Sequence, residues 1–356
     1  MATPRFDRTR AASWRAVFVA AESAPRTALA ILAPPLPLIA LLCASCGSRS
    51  EIFGLGSDAG RATVDAAPEA ALPPGSCTTD SDCATGAYCL VGTCDGDGGC
   101  ASNARDCDDG ISCTRDTCSE TAKSCVHTPD DSLCPDTELC SPRRDCDAFV
   151  YGVGSDNHLY ETRVPSGQVA LDVGFPAATI TDVALTGASV LYAIDSYNLY
   201  RVDRATAANT LVAAILPLYE YNGLGAAADG SLLATASDAF DLFRVDPVTG
   251  LSTPIAAIPA NYQSGGDVTT WTTRVLVPIN LVDDPTLASL ASYDAATLQS
   301  VVVGAWTDRC LYGIATLGGV VYELDCMGSI YTVDPQTGAA SLVGQSTVRY
   351  LGAAGR

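Results

Sequence analysis

Apolar residues from position 148 onward fall in short or alternating runs broken by turn dipeptides, and no stretch shows a helical period. Runs of this kind are typical of β-strands. The pattern also repeats, as in "LLATASDAFDLFRVDPVTG" and "VVYELDCMGSIYTVDPQTG". The repeats align at Leu159, Leu199, Leu242, Leu290 and Ile330, which stand 40 to 48 residues apart. The spacing indicates a repeat architecture.

Each repeat shows three strand patterns, and a fourth precedes them in "TDVALTG", "GLGAAADG", "DVTTWTT" and "LYGIATLGG". Four strands in about 42 residues predict one β-propeller blade. The first repeat lacks its leading strand, and the C-terminal "VRYLGAAGR" is similar to the leading strand "NGLGAAADG". We therefore expect an all-β fold with a five-bladed propeller over 148–356, closed by the C-terminal strand. The repeats resemble propellers with NHL-like or lectin-like short blades.

Residues 77–146 contain twelve cysteines and few large apolar residues. Such a segment cannot build a sufficient core, so we expect a small domain held by disulfides. Zinc is the alternative, although no C-x-x-C pair occurs in the segment. Cys310 and Cys326 lie at facing ends of a predicted hairpin in the last blade, so a disulfide between them fits. The twelve cysteines are Cys77, Cys83, Cys89, Cys94, Cys100, Cys107, Cys113, Cys118, Cys125, Cys134, Cys140 and Cys146.

Two units within 77–146 resemble known cysteine modules. The first, "CTTDSDCATGAYCLVGTC", is similar to small modules of secreted and surface proteins. The second, "CDDGISCTRDTCSETAKSCVHTP" at 107–129, closely resembles the cysteine repeat of slime-mould extracellular matrix proteins, which is also frequent in myxobacterial surface proteins. The resemblance implies a myxobacterial-type surface protein without enzymatic activity in this repeat.

The N-terminal region carries five arginines, then an uncharged stretch over 27–48 that ends in "CASC". A positive region, an apolar region and small residues form the pattern of an export signal. Small residues directly before Cys46 resemble a bacterial lipobox, which implies a signal peptide over 1–45 and acylation of Cys46. A membrane span is the alternative, but Pro34, Pro35 and Pro37 interrupt the stretch. Residues 46–76 then read as a flexible tether.

The formal net charge is −20, from 20 Lys and Arg against 40 Asp and Glu. This balance argues against nucleic acid or anionic lipid as a partner, so any membrane contact is expected through the lipid alone. We expect an exported, anchored lipoprotein at the outer membrane, the cell surface or the periplasm. No cofactor is expected, although "CDGDGGC" hints at a calcium loop that is shorter than an EF-hand.

Loops between second and third strands and loops between blades share one face of a propeller. These loops are rich in Tyr, Trp, Asn and acids, which suit a saccharide or a protein partner. Ordinary polar turns are the alternative interpretation. The candidate ligand-binding residues are Tyr197, Tyr219, Tyr221, Asn222, Asn261, Tyr262, Trp306 and Asp308.

These features predict a non-enzymatic binding module. One alternative is a structural or adhesive envelope component that binds through the cysteine-rich segment. A second is a propeller glycosidase that uses Asp182 and Asp267, since paired carboxylates perform glycoside hydrolysis. Only two histidines occur, His127 and His158, and G-x-S-x-G, H-E-x-x-H and phosphate-loop motifs are absent.

Overall fold

A computed structural model describes residues 76–307 and 310–356. The described part consists of β-strands and two short 3-10 helices, Asp80–Cys83 and Asp131–Leu133. In this part of the chain, no helix has the length and apolar character needed to cross a membrane. Cys46, the signal peptide predicted over 1–45 and the predicted tether up to residue 75 lie outside the described residues.

The cysteine-rich segment folds as three small antiparallel hairpins. The first two are β1 (Leu90–Cys94) with β2 (Cys100–Ala104) and β3 (Thr114–Ser119) with β4 (Ser124–Pro129). The third joins the short strands β5 (Leu139–Ser141) and β6 (Asp145–Asp147).

Disulfides replace a hydrophobic core in this segment. A small buried cluster forms around Cys113, Cys134 and Cys140, and most other side chains are exposed or half-buried. Covalent bridges stabilise such a fold because little apolar surface is removed from water. The seven disulfides of the described residues are Cys77–Cys94, Cys83–Cys100, Cys89–Cys118, Cys107–Cys125, Cys113–Cys140, Cys134–Cys146 and Cys310–Cys326.

Five antiparallel sheets follow, as the repeat pattern predicts. Blade 1 contains β7 (Phe149–Gly154), β8 (Leu159–Arg163) and β9 (Val169–Gly174). Blade 2 contains β10 (Asp182–Leu185), β11 (Leu191–Ile194), β12 (Asn198–Val202) and β13 (Asn209–Ala214). Blade 3 contains β14 (Tyr221–Ala226), β15 (Leu232–Ala236), β16 (Asp241–Val245) and β17 (Ser252–Ala257).

The last two blades differ in their inner strand. Blade 4 splits it into β18 (Tyr262–Ser264) and β19 (Thr269–Trp271), followed by β20 (Arg274–Leu281), β21 (Asp284–Asp294) and β22 (Ser300–Thr307). Blade 5 contains β23 (Leu311–Leu317), β24 (Val320–Asp325), β25 (Ser329–Val333) and β26 (Ala340–Gln345).

The C-terminal strand β27 (Tyr350–Ala354) closes the ring as the inner strand of blade 1. It pairs antiparallel with β7, and the Tyr350 ring packs over Gly152, where a Cβ atom would lie 2.7 Å from that ring. The Tyr350 hydroxyl is bonded to Thr162 at 2.6 Å. The prediction of a five-bladed ring closed by this strand is confirmed.

Apolar side chains fill the space between neighbouring blades, because alternate residues of each strand face the next sheet. The five repeat anchors, from Leu159 to Ile330, are all buried in the third strand of their blades. The inner strands approach one another closely at the axis of the ring, so they carry Gly and Ala there. A Cβ atom at Gly225, for example, would lie 2.3 Å from the Val268 carbonyl oxygen.

The cysteine-rich segment packs against one face of the propeller, which we call the turn face. This face comprises loops between first and second strands and between third and fourth strands, including 186–190, 203–208, 246–251, 294–299 and 334–339. The Arg204 guanidinium donates to both carboxylate oxygens of Asp131, at 2.7 and 3.0 Å, and to the Tyr151 hydroxyl. Both charged side chains are almost completely buried. A buried pair needs such multiple bonds to offset desolvation.

The C-terminal residue adds a second contact between the two parts. The Arg356 side chain donates to the backbone carbonyl oxygens of Asp131, Cys134 and Pro135. The cysteine-rich segment and the propeller accordingly form one compact unit. The domain boundaries at residues 45, 76 and 146 stay predictions; the hairpins lie within 90–147, one residue beyond the last of these boundaries, and the blades lie within 148–356.

Candidate functional site

The propeller face opposite the cysteine-rich segment, here called the loop face, carries exposed apolar side chains. An exposed apolar side chain in a loop does not contribute to the hydrophobic stabilisation of the fold. A concentration of such side chains on one surface therefore indicates a contact surface. The loop face comprises residues 155–158, 175–181, 195–197, 215–220, 237–240, 258–261, 282–283, 326–328 and 346–349. Its exposed large apolar residues are Phe175, Tyr197, Leu216, Leu218, Phe240, Val282 and Met327.

A shallow groove between blades 3 and 4 is the most defined feature of the loop face. It has a volume of about 340 Å³ and is lined by residues that include Phe240, Asn261, Tyr262, Val282 and Asp283. Phe240 and Val282 are 56% and 44% exposed, so the groove has two open apolar walls. Aromatic and aliphatic anchors in such grooves supply most binding energy at protein interfaces.

Backbone hydrogen bonds hold the walls of the groove in place. Ile258 N–H donates to the Phe240 carbonyl oxygen, and Val282 N–H donates to the Asn261 carbonyl oxygen, both at 2.9 Å. Asn261 has a φ of 71°, a left-handed conformation that Asn tolerates better than most residues. The groove is therefore a fixed part of the fold.

The structure distributes the predicted ligand-binding residues between surface and interior. Tyr197 is exposed on the loop face, and Asn261 and Tyr262 line the groove. Tyr219 is half-buried and packs against Phe243 with ring centroids 5.2 Å apart. These placements bring two of the predicted residues together in one groove.

Two of the other predicted residues, Tyr221 and Trp306, are buried, and Asn222 is half-buried. Tyr221 is fully buried and its hydroxyl is bonded to Ser252 at 2.6 Å, while Trp306 is only 9% exposed. Asn222 accepts a hydrogen bond from the Ser264 hydroxyl at 3.0 Å. Asp308 lies outside the described residues. In the folded protein Tyr221 and Trp306 are thus core side chains, which position loops instead of presenting a ligand surface.

Sequence reasoning missed Phe240, Val282 and Leu218, because apolar residues near strand ends resemble core positions. A signal was available at Phe240 and Val282. Both stand within acidic loops, "SDAFD" and "LVDDP", outside the alternation of their strands.

Four acidic residues stand next to the exposed groove residues Phe240 and Val282 in the sequence. Asp238, Asp241, Asp283 and Asp284 lie within two residues of Phe240 or Val282, and among the described residues none of them forms an ion pair with Lys, Arg or His. By contrast, arginines near the turn face are paired, as in Arg204 with Asp131 and Arg244 with Asp229.

Asp182 and Asp267 meet at the centre of the ring. Both are 0% exposed, and their carboxyl groups hydrogen-bond to each other. They occupy equivalent positions of two inner strands, and the other three blades have glycine there. A Cβ atom at Gly352 would lie 2.0 Å from Asp182 Oδ1, so glycine makes room for the carboxyl groups.

The two carboxyl groups accept hydrogen bonds from every inner strand. Asp182 accepts two backbone N–H groups at 2.6 and 2.7 Å, and Asp267 accepts three at 2.6 to 2.9 Å. The donors, one per blade, are Val183, Leu224, Val268, Ile314 and Ala353. This arrangement satisfies five converging donors that the narrow axis otherwise leaves buried and unpaired.

Burial raises the pKa of Asp182 well above its usual value, and the neighbouring Asp267 carboxylate raises it further. Asp267 accepts more N–H groups, so we place the shared proton on Asp182. A cavity of about 160 Å³ opens from the turn face along the axis, but neither carboxyl group lines it. A saccharide in this cavity would therefore not touch either carboxyl group, whereas the glycosidase alternative requires that contact.

Two features bear on metal binding in the cysteine-rich segment. The His127 Nδ1 atom lies 2.9 Å from an Asp116 carboxylate oxygen and 3.4 Å from one of Asp109, a group that could hold a metal ion. Here these atoms are bonded to one another, and His127 lowers the pKa of Asp116. In "CDGDGGC", the Asp95 carboxylate accepts the N–H groups of Asp97 and Gly99, which is the geometry of a polar turn.

No protein-family model matches the chain, and no curated protein matches it. The resemblance of 107–129 to slime-mould matrix repeats therefore stays a prediction.

Several solved structures are similar to part of the chain at low identity. The chain is similar to the extracellular domain of a one-component system from Bacteroides thetaiotaomicron (15% identity, TM-score 0.35), over 58% of this chain and 29% of that one. It is also similar to a nidogen/laminin complex structure (10%, 0.41), over 58% and 81%. A third is a structural genomics protein of unknown function from Bacteroides thetaiotaomicron (14%, 0.40), over 57% and 59%. The chain spans less than two thirds of the first and third structures.

Proposed function

We propose that this protein is an exported binding module whose loop face contacts a partner outside the cytoplasm. The observation that carries the proposal is the asymmetry of the propeller. The cysteine-rich segment packs on the turn face, whereas the loop face carries seven exposed large apolar side chains and a groove. Seven disulfides support export, since such bridges persist in oxidising compartments.

The loop-face proposal predicts that two apolar substitutions weaken partner capture. The double variant Phe240→Ser and Val282→Ser should lower capture at least about tenfold, because both groove walls lose their apolar anchors. Its melting temperature should change little, since both side chains are already exposed. Two binding measurements check this. The labelled protein is applied to a glycan array, and a labelled envelope extract of the producing cell is applied to the immobilised protein.

Val248→Ser with Leu342→Ser is the matched control, since these side chains are 76% and 63% exposed outside the loop face. The control should capture partners like the wild type. If the groove variant does so too, the loop face is not the binding surface.

One observation favours a second candidate, an envelope component that binds through the cysteine-rich segment. Leu90 and Val91 are exposed beside a groove of about 390 Å³ that also includes Tyr88 and Arg105. Removing the whole segment would expose the buried Arg204, so a surface variant is the better test. Loss of capture by Leu90→Ser with Val91→Ser, but not by the groove variant, would favour this candidate.

We also propose that Cys46 anchors the protein through a lipid. Small residues precede it, and all fourteen described cysteines are paired with one another. Metabolic labelling with a fatty-acid analogue should mark the wild type and not Cys46→Ala. A Cys43→Ala variant is the control, because it should still be labelled. Equal labelling of the Cys46 variant would refute the anchor.

A further inference from the structure

We infer that the partner of the loop face is a cationic protein segment that places an apolar side chain in the groove between blades 3 and 4. This inference rests on the proposed function and adds the chemistry of the partner. It follows from the combination of open apolar walls with acids that have no cationic partner in the described fold.

The rim of the groove is acidic. Asp238 and Asp283 are exposed, Asp241 and Asp284 are half-exposed, and Asp283 lines the groove itself. Carboxylates in the two loops on either side of the groove give its rim a negative potential. Arginine or lysine side chains of a partner would be attracted to this potential and give paired, charge-assisted hydrogen bonds.

The cations of the loop face lie elsewhere. Within its described ranges, Arg349 and His158 are the basic side chains, and they belong to loops of blades 5 and 1. His158 is bonded to Asp172 at 3.0 Å, which raises the pKa of His158. Among the described residues, the loop-face loops within and between blades 3 and 4 thus carry acids and no basic side chain, so the groove attracts cationic segments and repels acidic ones.

The apolar walls distinguish a protein segment from a free cation or a saccharide. Phe240 exposes more than half of its surface, and its face is available for an arginine or an aliphatic anchor. Tyr197, Leu216 and Leu218 extend the apolar surface onto blade 2. A contact that uses both surfaces suits a polypeptide with basic side chains, whereas a neutral saccharide can hydrogen-bond the carboxylates but cannot neutralise their charge.

Selection from a random peptide library on the purified full chain tests the inference. Selected peptides should be enriched in Arg and Lys with an aromatic or aliphatic residue. Their affinity should fall at least about tenfold between about 50 and 300 mM NaCl, because exposed ion pairs are screened. The variant Asp238→Asn, Asp241→Asn, Asp283→Asn and Asp284→Asn should show a loss of similar size.

A turn-face variant with the same charge change is the control for unspecific attraction to an acidic protein. Asp203, Asp246, Asp294 and Asp334 each accept backbone N–H groups within equivalent turns, which asparagine can also do. Replacing these four with Asn should leave peptide affinity within about threefold of the wild type. An equal loss in both variants would overturn the inference.

The remaining outcomes separate the inference from the proposed function. Peptides without Arg or Lys that depend on Phe240 and Val282 would overturn the inference and leave the binding face intact. So would capture of a glycan, and no peptide, through the same residues. Binding that survives both the groove variant and the four-acid variant would overturn both proposals.

Discussion

Deletion of residues 348–356 should unfold the propeller or cause aggregation. The deletion removes β27, and with it the ladder to β7, the buried Tyr350 ring and the three Arg356 bonds to the cysteine-rich segment. It also leaves β7 as an unpaired edge, which promotes aggregation. The expected cost is at least about 5 kcal/mol, comparable with the whole margin of a domain. Thermal unfolding should show a decrease in Tm of at least roughly 10 °C.

A shorter deletion separates ring closure from the contact with the cysteine-rich segment. Removal of Gly355 and Arg356 keeps β27 and loses the Arg356 side-chain bonds to three carbonyl oxygens and an exposed ion pair with Asp136 at 3.8 Å. The Tm of this variant should therefore fall by roughly a few degrees at most. If the longer deletion melts like the shorter one, β27 does not stabilise the ring.

The repeat was predictable because each anchor acts locally in the same way. Leu159, Leu199, Leu242, Leu290 and Ile330 each sit in the third strand, next to the second strand of the same blade. The hydrophobic pattern of one blade therefore contains the information for its own sheet. Ring closure was predictable because the first repeat lacks its leading strand and the C-terminal "VRYLGAAGR" supplies an additional strand of that pattern.

Side-chain exposure in the loops was not predictable, because it depends on residues far apart in sequence. Tyr221 is buried by Phe243 and bonded to Ser252, whereas Phe240, three residues from Phe243, is open to solvent. Disulfide connectivity in 77–146 has the same difficulty, since twelve cysteines allow many pairings. Cys89, for example, pairs with Cys118 of the other unit, which links the two cysteine modules.

The central carboxyl pair was visible as Asp182 and Asp267 at equivalent repeat positions, but its role depends on the three glycines opposite. The sequence suggested catalysis or a shared turn, whereas the fold places both groups where the five inner strands converge. Only the closed ring brings five N–H donors to two carboxyl groups. The pair thus acts as a common acceptor that ties the blades together at the axis.

This pair should make the protein lose stability as the pH rises. The pKa of Asp182 lies well above its ordinary value of 3.8, so the folded state holds a proton that the unfolded state releases. Its contribution to stability is fully present below about pH 4 and declines as pH rises toward the folded pKa, by roughly 1 kcal/mol per pH unit. Acids whose pKa is lowered by folding, such as Asp246, make the protein more stable as the pH rises, and they do so at lower pH.

Denaturant unfolding between about pH 5 and 8 checks this expectation against two variants. Asp182→Asn cannot lose a proton, so the free energy of unfolding should decline less steeply with pH in this variant. The variant should also be less stable by about 1–3 kcal/mol, because the amide has one oxygen and one N–H donor loses its acceptor. Asp267→Ala should cost several kcal/mol, because three backbone N–H groups from three blades lose their acceptor together. Asp246→Asn removes an exposed acid and should keep the wild-type slope. If Asp182→Asn also keeps that slope, the pair carries no proton at neutral pH, and the two carboxylates are held apart in some other way.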